Sequence, residues 1–156
     1  MDTTDLDGLD PQTNQMNSES VSEALDATEF SMNYYVLDPS EEFTSGIHAH
    51  LDQEEAFLIL DGEATFTVQD SPTADGETVT VSDGEMIRFP PGEYQQGRNE
   101  SDEQVRALAL GAPQESTDIR VAIPCQACGE SEYLDFVMGD GGAELECPEC
   151  GNSFEA

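Results

Sequence analysis

The chain has 156 residues, with 35 Asp or Glu against four Arg and no Lys, giving a formal net charge of −31. A surface this acidic repels phosphate, which argues against nucleic acid and anionic membranes as partners. The length suits one ordinary domain or a small domain beside a metal-stapled one. No apolar run reaches the length of a membrane span, and the N-terminus has neither the basic region nor the apolar segment of a signal peptide, so a soluble cytoplasmic protein is expected.

Residues 1–27 are rich in Asp, Ser, Thr, Asn and Gln and carry only scattered apolar residues, the composition of a disordered acidic tail. A short helix around Ser18 to Asp26 is compatible with Val21, Ala24 and Leu25 but too short to stand alone. From Phe30 the pattern changes to strand-length runs, F-S-M-N-Y-Y-V-L, F-T-S-G-I-H-A-H, E-A-F-L-I-L, E-A-T-F-T-V, E-T-V-T-V, E-M-I-R-F and V-R-A-L-A-L, separated by Gly, Pro and Asp turns. The expectation is an all-β sandwich or barrel over 28–113. Those runs argue for a folded core in spite of the charge. The acidity itself resembles that of halophilic archaeal proteins, which work in a salt-rich cytoplasm.

His48 and His50, the only histidines, are two residues apart, so on a strand both imidazoles share one face. Glu55 follows, and the apolar run Ala56 to Leu60 ends at the turn dipeptide Asp61-Gly62. Glu54 is a competing carboxylate, but alternation puts Glu55 with Phe57 and Ile59. These residues suit a metal site; the plainer alternative is an ordinary pair of interior strand histidines.

His48, His50, Glu55 and Gly62 resemble the first motif of the cupin family, and Gly84, Pro90, Gly92 and Asn99 resemble its second. Gln95 stands where that family has its fourth ligand, a His, and Glu42 where it has a glycine. The resemblance implies a double-stranded β-helix barrel with a divalent metal on His48, His50 and Glu55. Gln95 would add a weak amide oxygen. Such a set suits Fe(II), Mn(II), Ni(II) or Zn(II), and an octahedral ion would keep positions open for a small-molecule ligand, water or oxygen. A metal-dependent dioxygenase or isomerase is then one expectation, and a non-catalytic ligand-binding or regulatory module whose barrel holds a metabolite or metal is the other; a barrel that has lost its metal and keeps only a binding pocket is the plainer reading of Gln95. No general base or nucleophile stands out as a catalytic residue. Arg88, Arg98 and Arg106 would either face inward to hold an anionic ligand or pair with surface acids.

Residues 114–120, within G-A-P-Q-E-S-T-D and beyond, read as a linker, and 121–156 as a second unit. Cys125-Gln-Ala-Cys128 and Cys147-Pro-Glu-Cys150 are each followed by Gly and flank a hairpin signal at Gly139-Asp140-Gly141-Gly142. The spacing is that of a four-cysteine structural zinc site, and the unit resembles a zinc ribbon. Disulfides or a redox pair are the alternatives. With no Lys or Arg after Arg120, the ribbon suits a protein partner better than nucleic acid, and a homodimer stays open.

Overall fold

Period-two alternation places one set of side chains inside and the other outside, and the strands follow from it. The computed structural model describes residues 1–14, 16–139 and 142–156. The barrel consists of β2 (Ser31–Leu37), β3 (His48–His50), β4 (Glu54–Asp61), β5 (Glu63–Gln69), β6 (Glu77–Ser82), β7 (Met86–Phe89), β8 (Tyr94–Arg98) and β9 (Val105–Ala112). A strand β1 (Ser18–Ser20) and a single helical turn α1 (Val21–Ala24) precede it; β10 (Ile119–Val121), β11 (Leu134–Gly139), β12 (Gly142–Glu146) and β13 (Ser153–Glu155) follow. One sheet has the order β1-β2-β9-β4-β7 and the other β13-β12-β11-β10-β3-β8-β5-β6.

One part of the barrel interior is filled by Phe43, Phe57, Phe66 and Phe89, with contacting ring centroids 5.1 to 6.1 Å apart, backed by Leu37, Ile59 and Val105. Removing one such ring costs about 3–5 kcal/mol. β8 runs beside this cluster, and its Gly97 is the close approach: a Cβ there would lie 2.4 Å from the Phe66 ring and 2.7 Å from the Phe43 ring. The Asp61-Gly62 turn joins β4 to β5 with Gly62 at φ +84°, where a Cβ would also meet the Gln104 carbonyl oxygen at 2.7 Å.

Three stretches take an arrangement that the sequence pattern alone does not show. Within the stretch 1–27, β1 pairs with Asn33 to Tyr35 of β2, and Val21 is buried with Tyr34 and Val36 against Leu6, Leu9 and Leu25. Those apolar residues are too scattered to give a periodic signal, but the barrel's outer face offers them a surface to cover. At the end of the stretch 114–120, Ile119 to Val121 pair with His48 to His50 on one side and Leu134 to Phe136 on the other. A boundary at 121 therefore cuts through a strand, and the barrel sheet continues into the cysteine-bearing unit. Finally, β8 was hidden by its composition, Y-Q-Q-G-R, because its inward residues are polar or glycine. Asp140 and Gly141 of the expected hairpin lie outside the described residues. Among the described residues no helix is long and apolar enough to cross a membrane.

Candidate metal centres

β3 is short, and its alternation turns His48 and His50 to one face with ring centroids 5.1 Å apart. β8 lies beside it with Gln95 directly opposite His48, and β4 brings in Glu55 two residues before the phenylalanine cluster begins at Phe57. Ligand-type atoms of His48, His50 and Glu55 all lie within 4.8 Å of one another. Glu55 Oε2 is 3.7 Å from His50 Nε2 and accepts a 2.9 Å hydrogen bond from Gln95 Nε2, which also lies 3.4 Å from His48 Nε2. Gln95 Oε1 is buried without a partner. Rotating the amide by a half-turn would aim that oxygen at the other three groups, an orientation that suits a cation held between them and, without one, sets two oxygens against each other at Glu55.

The outer nitrogens are occupied. His48 Nδ1 lies 3.0 Å from the Gly46 carbonyl oxygen, which can only accept, so the proton sits on Nδ1 and the Nε2 lone pair faces the site. His50 Nδ1 lies 2.9 Å from Ser116 Oγ, whose own proton goes to Asp52 Oδ1 at 2.6 Å. Asp52 also accepts from the Thr117 backbone N–H and hydroxyl, and these hydrogen bonds, the one from Ser116 foremost, hold its carboxyl down to about 2. The resulting chain, Asp52 to Ser116 to His50, fixes the same tautomer at the second imidazole. The spacing of Ser116 and Asp52, 64 residues apart, gave no sign of this in the sequence.

Burial lowers the basicity of both histidines, His50 to about 4 with help from neighbouring His48, so both are neutral at pH 7. Burial pushes the Glu55 carboxyl up to about 7, partly offset by the hydrogen bond from Gln95. The 3.7 Å His50–Glu55 contact has the distance of an ion pair. Desolvation disfavours both charges, however, and we regard the contact as mainly one between neutral groups near pH 6. Two neutral imidazoles and a carboxylate destabilised by burial form a donor set that a divalent cation fits.

Glu54 points away from this group, where it accepts a 2.7 Å hydrogen bond from Arg88 Nε. Arg98 lies 3.8 Å from Glu100, and Arg106 bonds Tyr34 Oη at 2.7 Å and Asp7 at 3.0 Å, so none of these three arginines faces the donor set. Asn99 is fully buried and serves the chain itself, donating to the Leu37 and Glu103 carbonyls and accepting from Ser101.

The second cluster gathers Cys125, Cys128, Cys147 and Cys150, all free thiols, within 4.8 Å of one another. The Cys125–Cys150 and Cys128–Cys147 sulfurs are each 3.8 Å apart. Four thiolates at about 2.3 Å from a tetrahedral zinc would be about 3.8 Å apart, so the cluster fits that ion. Each pair is wrapped by a turn, with Gly129 N–H on the Cys125 carbonyl at 3.0 Å and Gly151 N–H on the Cys147 carbonyl at 2.9 Å. The backbone N–H of Cys128 leads the groups that bring the Cys125 thiol down to about 6. Leu134, Leu145 and Phe154 are the only apolar packing this cluster has among the described residues.

The barrel thus brings two histidines, a carboxylate and an amide together at a place that could hold a metal ion. Residues 33–111 match the cupin domain family, and the chain belongs to that family. Solved structures share the fold. A sugar phosphate isomerase of the cupin superfamily from Silicibacter pomeroyi is 16% identical over 86% of this chain and 77% of its own, with a TM-score of 0.63. A cupin protein from Bacteroides fragilis is 22% identical over 64% of this chain and 79% of its own, TM-score 0.53. A recombinant oxalate oxidase in complex with glycolate is 17% identical over 75% of this chain and 61% of its own, TM-score 0.59. No curated protein matches the sequence.

Proposed function

We propose that the barrel holds one divalent metal on His48, His50 and Glu55, with Gln95 beside it as a weak fourth group, and acts through it on a small organic molecule as an oxygenase or isomerase. The observation that carries this is the convergence of three donor groups within 4.8 Å while both outer imidazole nitrogens are engaged elsewhere. The bound metal would supply Lewis acidity or oxygen activation. His48 and His50 keep their lone pairs on the site, Asp52 and Ser116 hold the His50 ring in place, and Glu55 gives up its proton on loading. The phenylalanine cluster closes the barrel beyond Glu55 and keeps water from that side. Fe, Mn, Ni and Zn all suit the donors.

The four cysteines, in this reading, hold a structural zinc that supplies the folding free energy the small ribbon core lacks. The acidic surface is an adaptation to a salt-rich cytoplasm. A second reading, a non-catalytic ligand-binding module whose ribbon contacts a protein partner, draws on one observation: Gln95 Nε2 already donates to Glu55 and approaches His48, which satisfies the site without a cation. Metal analysis of protein purified without a metal-affinity tag separates the two. The enzyme reading expects two metals per chain, one of them zinc, and loss of only the other in a His48→Ala, His50→Ala double variant. Zinc alone in the parent protein would favour the binding module.

A further inference from the structure

We propose that the cavity beside His48 and His50 takes a small organic molecule with a ring-sized apolar body, one neutral polar head and no charge, and that Ile119, Val121 and Phe136 select it. The proposal deepens the reading above and rests on it for the metal, though the cavity can be tested without one.

The cross-strand register carries the argument. His50 lies opposite Ile119, and Ile119 opposite Phe136; His48 lies opposite Val121. Residues directly opposite on adjacent antiparallel strands share a face, so the face that bears the two imidazoles continues as an apolar wall through β10 into β11 of the ribbon. The two histidines, these three residues and Met16 line a cavity of about 220 Å³. An enclosed apolar cavity of about 150 Å³ accepts benzene, so this cleft, which opens to solvent past Met16, has room for a substituted ring. Thr44, Ser45 and Gly46 also border it; the Thr44 hydroxyl and Gly46 carbonyl are turned to one another and to His48 Nδ1, and Ser45 is exposed at the rim.

Charge narrows the ligand further. None of the four arginines borders the cavity: Arg88, Arg98 and Arg106 are engaged with Glu54, Glu100 and Asp7, and Arg120 lies 4.6 Å over the Tyr133 ring, its register position alternating to the other face. A carboxylate or phosphate set against Ile119 and Phe136 would lose water there and find no cationic partner. A polar head reaching toward the imidazoles meets no such penalty. The ribbon is thereby a wall of the ligand site in addition to a zinc-stapled hairpin.

The test uses the full chain with its ribbon zinc, and benzyl alcohol and 4-(hydroxymethyl)benzoate as probes that share a head and differ by a distal charge. Saturation-transfer NMR on the chain without barrel metal is expected to show benzyl alcohol binding at least tenfold tighter than the charged probe. Phe136→Ala and Val121→Ala should each weaken it about fivefold to tenfold, and Phe136→Leu should restore most of it. With Mn(II) added, the hydroxymethyl protons should broaden more than the ring proton opposite them. Equal or tighter binding of the benzoate, or unchanged binding in both Phe136→Ala and Val121→Ala, overturns the proposal. Zinc content and circular dichroism show whether Phe136→Ala keeps its ribbon; if it does not, Val121→Ala and Ile119→Ala decide. Failure of the parent chain to bind Mn(II) would count against the metal reading alone, since the NMR comparison stands without it.

Discussion

Glu55 ties acidity, stability and metal binding together. Its carboxyl is raised to about 7 from an ordinary 4.5, so the folded chain holds this proton more tightly than the unfolded one does. The associated stability is present below pH 4.5 and is lost as pH rises through 7. Glu55→Gln should therefore stabilise the chain lacking barrel metal by up to about 3 kcal/mol at pH 8 and have little effect at pH 4, as followed by urea unfolding. Metal binding should show the reverse dependence. Because burial leaves both histidines neutral near pH 7, Glu55 is the group that must release a proton there, and affinity should climb as pH rises toward 7 and level off above. A calorimetric titration across pH checks this. Ser116→Ala, which removes the link between His50 and Asp52, should weaken metal about tenfold without unfolding the barrel.

Among the elements, β3 and β4 were legible in the sequence because apolar alternation and the H-x-H spacing coincide there. β8 was not, although it carries Gln95: its inner face serves the site, so the strand lacks the apolar signal that core strands have. The same strand explains a steric demand that no pattern reveals, since Gly97 faces the Phe43 and Phe66 rings. Gly97→Ala should cost about 1–3 kcal/mol in denaturant unfolding, because two buried rings must shift to admit the methyl group. β10 carries no signal of its own because three residues are too few for a period; only its partners on both sides make it a strand. This annealing changes what loss of the ribbon would do. Cys147→Ser should release zinc and expose β11 to β13 to proteolysis while the phenylalanine core survives. Hydrogen exchange should also accelerate at β10 and the neighbouring edge of β3. Unchanged zinc content in that variant would contradict the ribbon assignment.

At the scale of the whole molecule, 35 carboxylates against four arginines leave repulsion that few pairs offset. The arginine pairs that exist lie largely on the surface, where each contributes at most about 1 kcal/mol. Screening shortens from about 10 Å at 0.1 M salt to about 3 Å at 1 M, so the melting temperature should rise steeply as KCl is raised toward molar concentrations. A melting temperature flat across that range would remove the halophilic reading. The molecule is also more continuous than its composition suggested. Row by row, the sheet runs from Gln95 and His48 through Val121 to Leu134, which packs among the cysteines. Two metal-type sites thus share one sheet face, and the cavity lies along that face beside the histidines.

In the proposed reading His48, His50 and Glu55 make a working metal site in spite of Gln95. Titration of Mn(II) into the full chain, with the ribbon zinc in place and free Mn(II) followed by electron paramagnetic resonance, tests it most directly. One exchangeable ion per chain is predicted, abolished by His50→Ala, little changed by Gln95→Ala, and bound more tightly by Gln95→His, because an imidazole is a stronger ligand than an amide. No Mn(II) binding by either the parent chain or Gln95→His would contradict it and leave the histidines as pocket lining.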